Sequence, residues 1–209
     1  MLKFLVRRCP LHVLLASSSN KKGSLMKKIL VVIDMQNDFI SGSLGSAQAQ
    51  AIVPSVKAKI REYEDRGEQV IFTRDTHHDD YLETQEGKIL PVVHCIHKTE
   101  GWEVHSDLVK DLRSCRLVDK NTFGFLGWEQ ELKAYLGEVE EIELCGVCTD
   151  VCVVTNALIL KTLFPTVKIT VDGSCCAGVT EESHEAALLT MHMCQVNVMN
   201  HDFGHGDSQ

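Results

Sequence analysis

The sequence predicts an α/β protein of three layers, with helices on both faces of a mostly parallel, six-stranded sheet. Two observations carry this. Short Val- and Ile-rich runs alternate with helical patterns along the whole chain, the arrangement that produces crossover connections between parallel strands. The length, 209 residues, and the hydrophobic content, 44%, suit one domain with one core.

The elements follow in order. Residues 28–34, KILVVID, read as a buried strand. Residues 47–67 carry a helical pattern closed by Gly67. QVIFTRD, 69–75, is the second strand, and residues 76–104 show no clean period. A connection that long is usually functional. CRLVDK, 115–120, is the third strand, and 127–137 a helix. EEIELCGV, 140–147, is the fourth strand, followed by a helix over 149–164. TVKITVD, 166–172, is the fifth strand. A helix over 180–194 then opens with Thr180 and Ser183 near a capping pattern. QVNVM, 195–199, is the sixth strand.

Charge divides the chain. Residues 1–28 hold seven of the 21 Lys and Arg, and no acid precedes Asp34, leaving 14 basic residues against 29 acidic ones. Residues 1–25 are set apart as a basic extension, and 26–209 form the domain. The extension suits a mitochondrial transit peptide; the other reading is that translation starts at Met26. The protein is accordingly expected inside the cell, cytoplasmic or mitochondrial. A net charge of −8 argues against a nucleic-acid partner. No apolar run reaches the roughly 18 residues a membrane span needs. A small-molecule substrate and a homo-oligomer are expected. Nine cysteines, without framework spacing, read mostly as reduced core residues.

In doubly wound sheets, ligands bind beyond the carboxyl ends of the strands. Four predicted strands deliver polar groups there: Asp34, then Asp75 with His77, then Lys120, then the turn holding Cys145, Cys148 and Cys152. Thr149 suits an N-cap. Cys152 would then lie in the first helical turn, where free N–H groups and the helix dipole favour a thiolate. The N–H groups of Cys148 and Cys152 could converge on one oxyanion. Asp34 can accept the thiol proton, and Lys120 can stabilise the thiolate. The plain alternative is a core cysteine at a helix start; a Cys148/Cys152 metal pair has weaker support, since zinc sites usually use shorter Cys spacing and need two further ligands nearby.

The segments VVIDMQNDF, FTRDTHH, LVDKNTFGF and CGVCTDVCV resemble those of the isochorismatase-like cysteine hydrolases, especially the nicotinamidase branch. The resemblance runs from about Ile29 to Val198. It implies a triad of Cys152, Lys120 and Asp34, an oxyanion hole from the amides of Cys148 and Cys152, and a cis peptide between Val147 and Cys148. It also implies one divalent metal, zinc, iron or manganese, on Asp75, His77, His94 and a variable ligand assigned to Glu86. His78, Asp79, Asp80, Glu83 and His97 are polar neighbours that a solvated loop would also explain. Phe39 matches an aromatic beside the substrate ring. Pro91 and Val151 depart from the branch, and Phe123, Phe125 or Trp128 could supply the missing aromatic wall, with Phe123 the choice. The implied reaction is hydrolysis of nicotinamide through a Cys thioester. The rivals are action on another small amide or a vinyl ether, and a non-catalytic protein that binds metal through thiols and histidines.

Overall fold

The computed structural model describes residues 27–112, 115–135 and 137–203; the basic extension lies outside them. Six strands form one sheet: β1 Lys27–Ile33, β2 Gln69–Asp75, β3 Arg116–Lys120, β4 Val139–Val147, β5 Lys168–Ala177 and β6 Asn197–Met199. Their order is β3-β2-β1-β4-β5-β6, and every pairing is parallel. The order reverses between β1 and β4, so the crevice of a doubly wound sheet opens at the ends of those two strands. Ile29 to Ile33 are wholly buried, as a central strand covered on both faces must be.

The helices are α1 Asn37–Ile40, α2 Ala47–Asp65, α3 Gln85–Ile89, α4 Ser106–Val109, α5 Trp128–Glu131, α6 Val154–Leu163 and α7 Glu181–Met193. Ser46 caps α2 by accepting from the Ala49 N–H at 3.0 Å. The helix ends two residues before Gly67, which takes the left-handed φ of +71°. Thr180 and Ser183 form a reciprocal capping box on α7. No described helix is long and apolar enough to cross a membrane.

Besides shifts of one or two residues, such as β6 beginning at Asn197 instead of Gln195, three stretches differ from the sequence reading. β5 does not stop at Asp172 but runs to Ala177. Its pairing with β4 slips between Leu144↔Val171 and Gly146↔Cys176. Asp172 holds the bulge by accepting from the Ser174 N–H and hydroxyl at 3.0 and 2.7 Å, so turn-forming residues interrupt a strand instead of ending it. The helix expected over 127–137 is one turn, α5, and then a 3₁₀ turn, Lys133–Tyr135. The aperiodic stretch 76–104 holds α3 and the 3₁₀ turn Tyr81–Glu83.

Candidate active site

The crevice collects four strand ends. Asp34, just past β1, sits at φ +48°, a region few non-glycine residues enter. Thr73 of β2 fixes it: the hydroxyl donates to Asp34 Oδ1 at 2.6 Å and accepts the Asp34 N–H at 3.1 Å. Lys120, the last residue of β3, sets Nζ 2.7 Å from Asp34 Oδ2 and 3.5 Å from Asp75 Oδ1. The same ammonium donates toward Cys152 Sγ at 3.6 Å. All of these side chains are buried.

Burial raises the Asp34 carboxyl above its ordinary range, with Lys120 opposing. Burial also raises the Cys152 thiol, Asp34 adds to this, and Lys120 opposes. Burial disfavours the Lys120 ammonium too, but Asp34, the thiolate of Cys152 and Asp75 outweigh it, and its pKa is raised. The arrangement sets a thiol that burial keeps protonated beside the Asp34 carboxyl, which is paired with the Lys120 ammonium at 2.7 Å. A raised carboxyl is a stronger base, suited to taking the thiol proton as the sulfur attacks.

The nucleophile turn begins at Gly146, φ +119°. A Cβ there would lie 2.1 Å from the Ile33 carbonyl oxygen, so glycine is required for β1 and β4 to approach. The Val147–Cys148 peptide is cis. Thr149 is not the cap the sequence led one to expect. Cys148 holds that position, and the Thr149 hydroxyl is drawn away to His184 Nδ1 on α7 at 2.8 Å. The first turn, Thr149–Val153, is a π turn in which the Val153 N–H reaches the Cys148 carbonyl at 3.1 Å. Such turns occur often at functional sites. Cys148 and Cys152, whose amides the sequence pairs as an oxyanion hole, both belong to this short segment.

Beside the triad, Asp75, His77, Glu86 and His94 bring one donor atom each to within 4.8 Å of one another. Asp75 Oδ2 is 3.0 Å from His77 Nε2 and 3.6 Å from His94 Nε2, and Glu86 Oε1 is 3.7 Å from His77 Nε2. The Nδ1–H of His94 donates to the Val92 carbonyl at 2.7 Å, which leaves Nε2 as the ligating nitrogen. Burial would raise Asp75, but hydrogen bonds from His77 and His94 and the charge of Lys120 hold it far below the usual range. Burial, and then the charge of Asp75, raise Glu86. Two imidazoles and two crowded carboxylates fit a divalent ion such as zinc, iron or manganese. Among the described residues no other cluster of this kind occurs. His78, Asp79, Asp80, Glu83 and His97 lie outside it; His97 packs on Trp102 with ring centroids 4.9 Å apart. Cys148 and Cys152 are likewise absent from the set, so the cysteine metal pair has no support.

A cavity of about 250 Å³ lies over these groups. Phe39, Leu90, Phe123, Val151 and Val179 give it apolar walls, and Cys152, Asp75, Glu86 and His94 reach it. Of the three aromatics considered for the wall, only Phe123 lines it. Trp128 is wholly buried with Phe125 packed on it, centroids 5.2 Å apart.

Sequence reasoning passed over several supports. The Gln36 amide donates to the carbonyls of Asp75 and Trp102 at 2.9 and 2.8 Å and accepts the Asp75 N–H at 2.7 Å. Tyr81 packs on His77 and His94, centroids 4.6 and 5.0 Å away. Thr73 and Asn156 belong with them. Gln36 and Thr73 lie two residues from the chosen acids, and nothing in residue type separates them from ordinary strand-end polar residues.

A family model for the isochorismatase domain matches residues 28–203. The uncharacterized isochorismatase family protein PncA of Bacillus subtilis (strain 168) is 29% identical over 177 residues, 78% of this chain and 93% of that one. The crystal structure of a nicotinamidase/pyrazinamidase PncA from Bacillus subtilis superposes with a TM-score of 0.72 at 28% identity, over 83% of this chain and 99% of that one. The pyrazinamidase of Pyrococcus horikoshii, solved in complex with zinc, superposes with a TM-score of 0.71 at 25% identity, over 84% and 99%.

Proposed function

The chain belongs to the isochorismatase domain family and is a hydrolase of that family, and from this premise we propose that it hydrolyses nicotinamide to nicotinate and ammonia through a thioester on Cys152. The observation that carries the reading is the buried contact of Lys120 with Asp34, Asp75 and Cys152. It joins a thiol–carboxylate pair to a metal-type donor set at the base of one cavity.

Asp34 takes the Cys152 proton, and the sulfur attacks the amide carbonyl. The oxyanion lies against the amides of Cys148 and Cys152. As the C–N bond breaks, Asp34 returns the proton to the nitrogen and ammonia leaves. Asp34 then deprotonates a water, which adds to the thioester; nicotinate departs and the thiol is restored. Lys120 keeps Asp34 oriented and balances the charge at the sulfur. Asp75, His77, Glu86 and His94 would hold a divalent ion, whose chemistry is that of a Lewis acid for the ring nitrogen. Phe39 and Phe123 confine the ring within the cavity.

Ammonia release from nicotinamide, pyrazinamide, benzamide and aliphatic amides tests this. Nicotinamide and pyrazinamide should turn over, with benzamide at least about 10²-fold slower for want of the ring nitrogen. Preference for an aliphatic amide would retain the chemistry and reject the substrate. Chelation should raise KM for nicotinamide, and Zn²⁺, Mn²⁺ or Fe²⁺ should reverse the effect. His77→Ala should lose bound metal by elemental analysis together with nicotinamide turnover. A preparation shown to be metal-free that works at full rate would remove the ion from the proposal.

A further inference from the structure

We infer that Asn156 is a positioning residue that locks the nucleophile turn to the aromatic wall of the substrate cavity, so that the distance between Cys152 and Phe123 is set by one side chain. The inference rests on the assignment of Cys152 as nucleophile and Phe123 as cavity wall.

Asn156 lies on α6, four residues beyond Cys152, and is wholly buried. Its Nδ2 donates to the carbonyl of Cys152 at 2.8 Å and to the carbonyl of Phe123 at 3.0 Å. Its Oδ1 accepts the Phe125 N–H at 3.0 Å and the Trp128 Nε1–H at 2.9 Å. A carboxamide has two donors and two acceptor sites, and all four are used. Both partners of Nδ2 are carbonyls and both partners of Oδ1 are N–H groups, so only one orientation of the amide satisfies the site.

Each bond ties Asn156 to something the reaction needs. The Cys152 carbonyl belongs to the π turn, so the side chain holds the nucleophile's own backbone. The other three bonds hold the segment that follows Lys120: Phe123, which lines the cavity, and Phe125 and Trp128, which anchor that segment in the core. No other side chain offers two donors and two acceptors at this reach; aspartate keeps the acceptors and sets oxygen against the two carbonyls. Small misplacements of a bound substrate from its nucleophile are costly in rate, which gives this clamp a catalytic consequence beyond stability.

The test compares wild type, Asn156→Asp, Phe123→Ala, the double variant and Trp128→Phe. It reads kcat and KM for nicotinamide and, by mass spectrometry, hydrogen exchange of the segments 121–128 and 149–153. Phe123→Ala should raise KM by roughly fivefold, and Asn156→Asp should lower kcat/KM by roughly 10²-fold. The double variant should fall within about threefold of Asn156→Asp, because a wall already displaced has little left to lose. Trp128→Phe removes one donor to Oδ1 and should cost about threefold. Exchange in 149–153 should rise in both Asn156→Asp and Trp128→Phe, although Trp128 lies on the other side of the clamp. Multiplying losses in the double variant, or exchange in 149–153 unmoved by either substitution, would overturn the clamp. If Asn156→Asp does not fold, Trp128→Phe decides through the same two readouts. If wild type does not hydrolyse nicotinamide, the proposed substrate falls, and the exchange measurements still judge the clamp.

Discussion

Cys152→Ala is expected to abolish amide hydrolysis, lowering kcat by about 10⁴-fold or more, because it removes the atom that forms the acyl bond. The fold should persist. The change replaces a small buried thiol with a methyl group and leaves Asp34 paired with Lys120 at 2.7 Å, so the midpoint of thermal unfolding should move by only a few degrees. The metal-type set excludes this sulfur, so metal content should also persist. Cys148→Ala gives the contrast. Its amide remains, and the Lys120 ammonium is directed at the Cys152 sulfur, 3.6 Å away. That variant should keep activity within about tenfold of wild type. Iodoacetamide labelling followed by peptide mass spectrometry separates the two thiols, with the exposed Cys194 as an internal standard. Labelling of Cys148 instead of Cys152, together with an active Cys152→Ala, would reassign the nucleophile.

The framework of the site was legible because the fold enforces it. In a doubly wound sheet the carboxyl ends of the strands lie along one edge, so recognising KILVVID, QVIFTRD, CRLVDK and EEIELCGV as strands was enough to gather Asp34, Asp75, Lys120 and the cysteine turn. The clustering of His94 and Glu86 with Asp75 was not legible from period or spacing. Both sit in the aperiodic stretch between β2 and β3, whose course depends on contacts such as Gln36 with the carbonyls of Asp75 and Trp102; the family resemblance named them. Thr149 was misread because capping propensity is local, whereas the hydroxyl found His184, 35 positions away. Asp172 was misread as a strand end for the same reason: Asp-Gly-Ser favours a turn, but pairing with β4 resumes at Cys176. Asn156 was invisible, since an asparagine inside an apolar helix gives no sign of which four backbone and side-chain groups will meet it.

Lys120→Met should be both inactive and markedly less stable. In the wild type one ammonium, 1% exposed, lies between Asp34, Asp75 and Cys152. Methionine fills similar space but leaves the fully buried Asp34 carboxylate without a counter-charge. Removing one partner of a buried ion pair costs about 3–5 kcal/mol. In a domain of this size that lowers the unfolding midpoint by roughly 10 °C. Turnover should fall by at least about 10³-fold, because the thiolate and the returning carboxylate lose the cation that balances them. The loss should depend on pH in a defined direction. Asp34 in the folded wild type already lies above its ordinary 3.8, so from about that pH upward the folded state retains a proton more strongly than the unfolded chain does. Stability contributed by this group therefore declines as pH rises. Without Lys120 the folded pKa climbs further, and the decline extends to higher pH, with a limiting slope of about 1.4 kcal/mol per unit. The ammonium of the wild type, its pKa raised on folding, contributes fully below about 10.5 and so is constant over this range. The stability gap between variant and wild type should accordingly be smaller at pH 5.5 than at pH 8, measured by denaturant unfolding at both. An equal gap at the two pH values would mean that removing Lys120 does not shift the Asp34 proton affinity across this range. The role of Lys120 as the counter-charge to Asp34 would then have to be abandoned.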